Sequence, residues 1–203
     1  HASFYEIDDT LAQRILERFL FELDPIKVFL LKSEVEPWTT PSKGMLKEIQ
    51  HEFAQGSFPE FEKIFDLRAM GLERHKTLEL LAKQLPAPVP LDSEKIKEFD
   101  WAPDTAALTL RLRTIQDIEK RAIARFEPKE QKKILERFEK RKKMLLSRES
   151  CQNKEEREKV ISTILLKSFA SALDAHTIYF TPAEATLFVS DVQQRIFGIG
   201  VLF

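Results

Sequence analysis

From Leu11 almost to the end of the chain, apolar residues return every three or four positions, and that period decides the fold class. Leu11, Ile15, Phe19 and Leu23 share one helical face, and so do Val160, Ile161, Ile164, Phe169 and Leu173. Met45, Leu46, Ile49 and Phe53 form another such stripe, followed by Phe61, Ile64 and Phe65 running on to Leu78, Leu81 and Leu85, and by a long amphipathic stretch over 105–146. No alternation of apolar and polar residues, the mark of a half-buried strand, occurs before residue 196. The pattern predicts an all-α, multi-helix domain of six or seven helices in two lobes. Thr40-Pro41 and Thr181-Pro182-Ala183-Glu184 read as helix starts: the threonine hydroxyl caps an orphan amide, proline suits the first helical position, and Glu184 returns the bond.

Two breaks set the expected boundaries. Leu85-Pro86-Ala87-Pro88-Val89-Pro90 lacks three amide donors within five residues, so it must run extended. It reads as part of a connector, 86–103, between a helical lobe at 1–85 and a second at 104–195. Presentation of the prolines to a partner groove is the alternative. The second break is Ile196-Phe197-Gly198-Ile199-Gly200-Val201-Leu202-Phe203, which holds two of the five glycines and reads as the first β-strand of a further domain at 196–203.

The chain also echoes itself at an offset of 150 residues. Leu16, Phe19, Leu23, Asp24 and Glu34 match Leu166, Phe169, Leu173, Asp174 and Glu184, while Phe29-Leu30 aligns with Tyr179-Phe180. Copies so far apart cannot stack as solenoid neighbours. The expectation is one local device used twice: a helix ends at Leu-Asp, the chain turns, an aromatic pair anchors the return, and a new helix starts.

Composition narrows the function classes. The 203 residues are 43% hydrophobic and 32% charged, with a net charge of -1, which gives no global attraction to nucleic acid or anionic membrane. Cys151 is the only cysteine, so no internal disulfide or cysteine-rich metal site can form. No apolar run approaches the roughly 20 residues that span a bilayer. No signal-peptide pattern opens the chain, as would be true of a processed exported protein.

Candidate chemistry is sparse. His51-Glu52 begins like a zinc-protease helix, but position 55 is Gln where the second histidine must stand. His1, His75 and His176 have no histidine or cysteine at ligand spacing and read as surface or capping residues, and the expectation is no metal and no cofactor. There is no Gly-x-Ser-x-Gly elbow and no phosphate-cradling glycine loop. The carboxylate pairs Asp8-Asp9 and Glu155-Glu156 fall where helix N-termini are expected, where negative charge suits the macrodipole. Residues 129–143 contain eight basic and three acidic residues around an apolar stripe of Ile134, Leu135, Phe138 and Leu145. The stripe suits a neighbouring helix or a second subunit. RNA or an acidic partner is the alternative, although aromatics for base stacking are few.

Leu173-Asp174-Ala175-His176-Thr177-Ile178-Tyr179-Phe180-Thr181-Pro182-Ala183-Glu184, with Gly198-Ile199-Gly200 beyond it, resembles the tail-specific (C-terminal processing) serine protease family. Members carry leucine-aspartate-proline-histidine, then an aromatic followed by Ser/Thr-Pro-x-Glu, and then the glycine-isoleucine-glycine that opens a PDZ domain. Ala175 stands where the family has proline. Leu23-Asp24-Pro25 with Phe29-Leu30 is similar to the family's earlier motif, and Trp101-Ala102-Pro103 to the middle of its N-terminal helical domain. The resemblance implies a periplasmic or otherwise exported serine endopeptidase that selects proteins by apolar C-terminal tails, using a PDZ domain for capture and a serine-lysine dyad for cutting. No residue of this chain matches that serine or lysine, so no catalytic residue is assigned and the chain is expected to be inactive alone. The implied role is a non-catalytic scaffold or oligomerisation region. Its implied partners are its own PDZ and protease domains, substrate tails and a second copy or an adaptor. Gly198, Ile199 and Gly200 are the implied substrate contact, with glycines admitting close backbone approach to a carboxylate. Leu23, Asp24, Pro25, Leu173, Asp174, His176, Tyr179, Pro182 and Glu184 are implied structural motif residues.

Overall fold

Side-chain caps and prolines place the helices. The computed structural model describes residues 7–147, 153–174 and 176–193, and among these it contains eight α-helices and one 3-10 helix. Asp8 caps α1 (Asp9–Leu23) by accepting from the Leu11 amide at 2.7 Å, Asp104 does the same for α5 (Thr105–Ile123), and Asn153 for α7 (Lys154–Leu173). Asp8-Asp9 and Glu155-Glu156 therefore lie at helix N-termini, as their charge demands. Thr40-Pro41 does not start a helix: Thr40 closes α2 (Lys32–Thr39), donating its amide and hydroxyl to the Glu36 carbonyl. The cap of α3 (Lys43–Gln55) is Ser42, which accepts from the Met45 amide at 3.2 Å. Gly56 ends α3 at φ 68, the left-handed conformation for which glycine has no steric cost. Proline opens α4 (Pro59–Gln84), α6 (Pro128–Ser147) and α8 (Pro182–Gln193).

The expected amphipathic stretch over 105–146 is two helices. α5 stops at Ile123, Ala124 through Glu127 turn, and α6 begins at Pro128. Pro128 has no amide to donate to the preceding turn and its ring crowds the carbonyl four residues back, costs that disappear at the first position of a helix, which is where it stands in α6.

Two cores hold these helices. In the larger, α1 lies along α7 and is flanked by α2, α3 and α4, with Leu11, Ile15, Leu16, Phe19, Ile49, Phe61 and Ile64 fully enclosed. Phe19 meets Phe61 edge to face at 4.9 Å. Each such side chain contributes about 1.5–3 kcal/mol of burial, so the α1 stripe alone outweighs any surface ion pair. The smaller core joins Val28, Leu78, Ala82, Ala102, Leu108 and Leu112, drawn from the second half of α4, from α5 and from two loops. Ile161, Leu165 and Ala172 of α7 sit in the larger core, so that core draws on residues from both sides of the proline-rich connector.

The connector is anchored at several points. After its extended run it makes a 3-10 helix, Ser93–Glu98. Arg113 of α5 donates to the Leu85 carbonyl at 2.9 Å and Arg121 to that of Leu91 at 2.7 Å. Trp101-Ala102-Pro103 then tucks in: Ala102 is buried and accepts from the Lys32 amide at 2.8 Å, within a single parallel bridge to Leu31.

Candidate functional site

The doubled Leu-Asp motif closes a hydrogen-bonded turn at each of its two occurrences. At the end of α1, Leu23 is buried and Asp24 is only 1% exposed. One carboxylate oxygen of Asp24 accepts from the Val28 amide at 2.8 Å, and the other from Phe29 and Leu30 at 2.9 and 3.0 Å. Burial pushes the Asp24 carboxyl up, while these three amides and the Arg68 guanidinium pull it back. Pro25 opens the turn and Lys27 follows at φ 54, so the chain reverses within four residues. Glu34 then accepts from the Leu31 amide at 2.8 Å, completing the start of α2.

α4 locks this turn. Arg68 donates to the Leu23 carbonyl at 2.6 Å and lies 3.7 Å from the Phe29 ring centre. Arg74 forks onto both oxygens of Glu34 at 2.7 Å and also donates to the Phe29 carbonyl at 2.6 Å. Burial opposes ionisation of Glu34, but Arg74 and the Leu31 amide still hold its carboxyl below the usual range. His75, expected to be a surface or capping residue, is buried: its Nδ1 lies 3.2 Å from the Val28 carbonyl and its ring packs on Phe29. The sequence hid this because α4 is apolar on more than one side, so no single stripe marks the face that carries His75.

The second copy repeats two of the hydrogen bonds at the 150-residue offset. Lys27 donates its amide to the Asp24 carbonyl and Thr177 donates to that of Asp174, both at 3.1 Å. As Leu31 donates to Glu34, so Thr181 donates to Glu184, at 2.9 Å, and the Glu184 amide returns a bond to the Thr181 hydroxyl at 3.3 Å. This is the expected start of α8 at Thr181-Pro182. Lys167 pairs with Glu184 at 2.7 Å and, with the Thr181 donors, holds its carboxyl down at about 2. The copies diverge in burial: Leu173 and Tyr179 are half-buried, whereas Asp174 and His176 are exposed. Gly198, Ile199 and Gly200, and with them the expected strand at 196–203, lie outside the described residues.

A second polar cluster, which the motifs did not signal, joins α3 to α4. Glu52, the residue after His51, is buried, and its Oε1 accepts the Glu60 amide at 3.0 Å, capping α4 next to Pro59. Glu60 in turn accepts from the Trp38 indole at 3.1 Å and pairs with Lys63. Oε2 of Glu52 is buried with no hydrogen-bond partner. Burial, reinforced by the Glu60 carboxylate and opposed by the Glu60 amide, pushes Glu52 up to about 7. The described residues contain no group of three or more histidines, cysteines or acids able to hold a metal ion. No helix among them is long and apolar enough to cross a membrane.

These arrangements bind backbone to backbone: Asp24, Glu34, Glu52 and Glu184 each accept main-chain amides at a turn or helix start. The family model described as tail specific protease N-terminal domain matches residues 1–183, which takes in both turns as far as the first residues of α8. No curated protein matches the chain.

Proposed function

The chain belongs to the tail-specific protease N-terminal domain family, and from that premise we propose that it is a non-catalytic scaffold and self-association region of an exported, periplasmic serine endopeptidase. The observation that carries this reading is the use made of the motif carboxylates. The motif residues Asp24 and Glu184 accept backbone amides, as Glu34 does beside the first turn, so these carboxylates serve to fix helix directions rather than to meet a substrate. A rigid helical body of this kind positions the PDZ domain that captures apolar C-terminal tails and the protease domain that cuts. Removing the region from the full-length protease tests it. Degradation of a tail-bearing protein should be lost while hydrolysis of a short unstructured peptide persists, and undiminished degradation of the protein would overturn the reading.

A second reading is favoured by α6. Leu135 and Phe138 are 47% and 49% exposed, three residues apart, on a helix with a strongly basic remainder. Such a surface suits self-association or binding of a partner protein or RNA. Sedimentation of the chain at high micromolar concentration separates self-association from the rest, because a strictly monomeric species excludes it.

A further inference from the structure

α4 covers the first Leu-Asp turn, whereas among the described residues no helix covers the second. α4 lies so close that a Cβ on Gly71 would stand 2.6 Å from the Phe29 carbonyl oxygen. Arg68, Gly71 and Arg74 follow at intervals of three, on one face of α4, and all three meet the turn. Around the second turn, Ile178 and Leu187 are 69% and 66% exposed, and Phe188 and Val189 are also open. Leu187, Phe188 and Val189 are consecutive, so they sweep more than half of the circumference of α8, and α7 alone cannot cover them. A helix apolar on several sides is ordinarily a buried one. Among the described residues that line the cleft beside this turn, Glu22 and Glu184 face the cation Lys167, a net negative balance.

We propose that the α7–α8 turn is a docking surface for an α-helix built like α4, with glycine or alanine at the point of closest approach and arginine three residues to either side. The small residue lets the helix backbone settle on Tyr179 as Gly71 settles on Phe29. One arginine then stacks on the Tyr179 ring, and the other pairs with Glu22 and shares Glu184 with Lys167. The exposed Ile178 and Leu187 supply the apolar contact. This names the chemistry of a partner without depending on the scaffold reading.

The test uses the whole chain and a fluorescein-labelled peptide of residues 59–84, the α4 sequence, as the probe, followed by fluorescence anisotropy. Saturable binding is expected. It should weaken at least about tenfold with Leu187→Asp or Ile178→Asp in the protein, the loss typical of an interface anchor. Gly71→Leu or Arg74→Glu in the peptide should have the same effect. Circular dichroism of both protein variants should match that of the parent, because these side chains are exposed. Absence of saturable binding up to about 1 mM, or binding indifferent to Leu187→Asp, would overturn the proposal. A concentration-dependent dimer seen by sedimentation and abolished by Leu187→Asp would also overturn it, assigning the face to a second copy.

Discussion

Asp24→Ala and Asp174→Ala make the same change in two copies of one motif, and the structure demands opposite outcomes. Removing the Asp24 carboxylate strands the amides of Val28, Phe29 and Leu30, the first and last belonging to buried residues. An unpaired buried amide costs about 1–3 kcal/mol, so three cost roughly 3–6 kcal/mol once water reaches the half-buried Phe29 amide. Part of this is returned, because burial pushes the Asp24 carboxyl up and the ionised form is itself held at a cost. The net loss is then about 3–4 kcal/mol, a large part of the roughly 5–15 kcal/mol that folds an ordinary domain. With a urea slope near 2 kcal/mol per molar, the midpoint should fall by about 1.5–2 M. At the second turn the Thr177 amide bonds to the backbone oxygen of Asp174, which alanine keeps, and the side chain is exposed. That substitution should cost under about 0.5 kcal/mol. Urea unfolding followed by far-UV circular dichroism measures both. Equal losses in the two variants, or a loss below about 1 kcal/mol for Asp24→Ala, would refute the assignment of Asp24 as the acceptor that organises the first turn.

Gly71→Ala should destabilise by about 1–3 kcal/mol despite alanine's better helix propensity, since its Cβ would press on the Phe29 carbonyl at 2.6 Å; thermal unfolding reads this directly. Glu52 has its folded pKa raised from 4.5 to about 7, so its contribution to stability is complete below the unfolded value and is lost as pH rises through 7. Unfolding free energies from urea titrations at pH 5 and pH 8 should differ by about 1–2 kcal/mol in favour of pH 5, a figure discounted for solvent screening. Glu52→Gln should flatten that difference, and a parent profile with no such difference would remove Glu52 as its source. If α6 mediates self-association, Phe138→Asp should convert a sedimenting dimer to monomer, and if it binds RNA, gel shifts should fade steeply as salt rises.

The helical class was open in the sequence because each buried stripe, such as Leu11-Ile15-Phe19-Leu23, keeps its period through whole turns. The echo between Leu23-Asp24 and Leu173-Asp174 was legible for the same reason that the hydrogen bonds repeat: the turn is local, so its residues stand at fixed offsets. Pairings between distant segments were not legible. Arg68, Arg74 and His75 meet the first turn from 45 or so residues away, and nothing in their own neighbourhood marks them. In the sequence Glu52 stands out only in a failed zinc pattern, because its role as a cap for α4 depends on a loop closing α3 onto Pro59. The break at Pro128 is masked in the sequence by a strong amphipathic pattern on both sides, although proline favours a break there.

Cleavage is the property that most directly separates a scaffold from an enzyme. Purified chain incubated with an unfolded protein bearing an apolar C-terminal tail should leave that protein intact over hours, by mass spectrometry of the substrate termini. Cleavage that survives repurification and is blocked by a serine-protease inhibitor would contradict the scaffold account and place a catalytic serine within these residues.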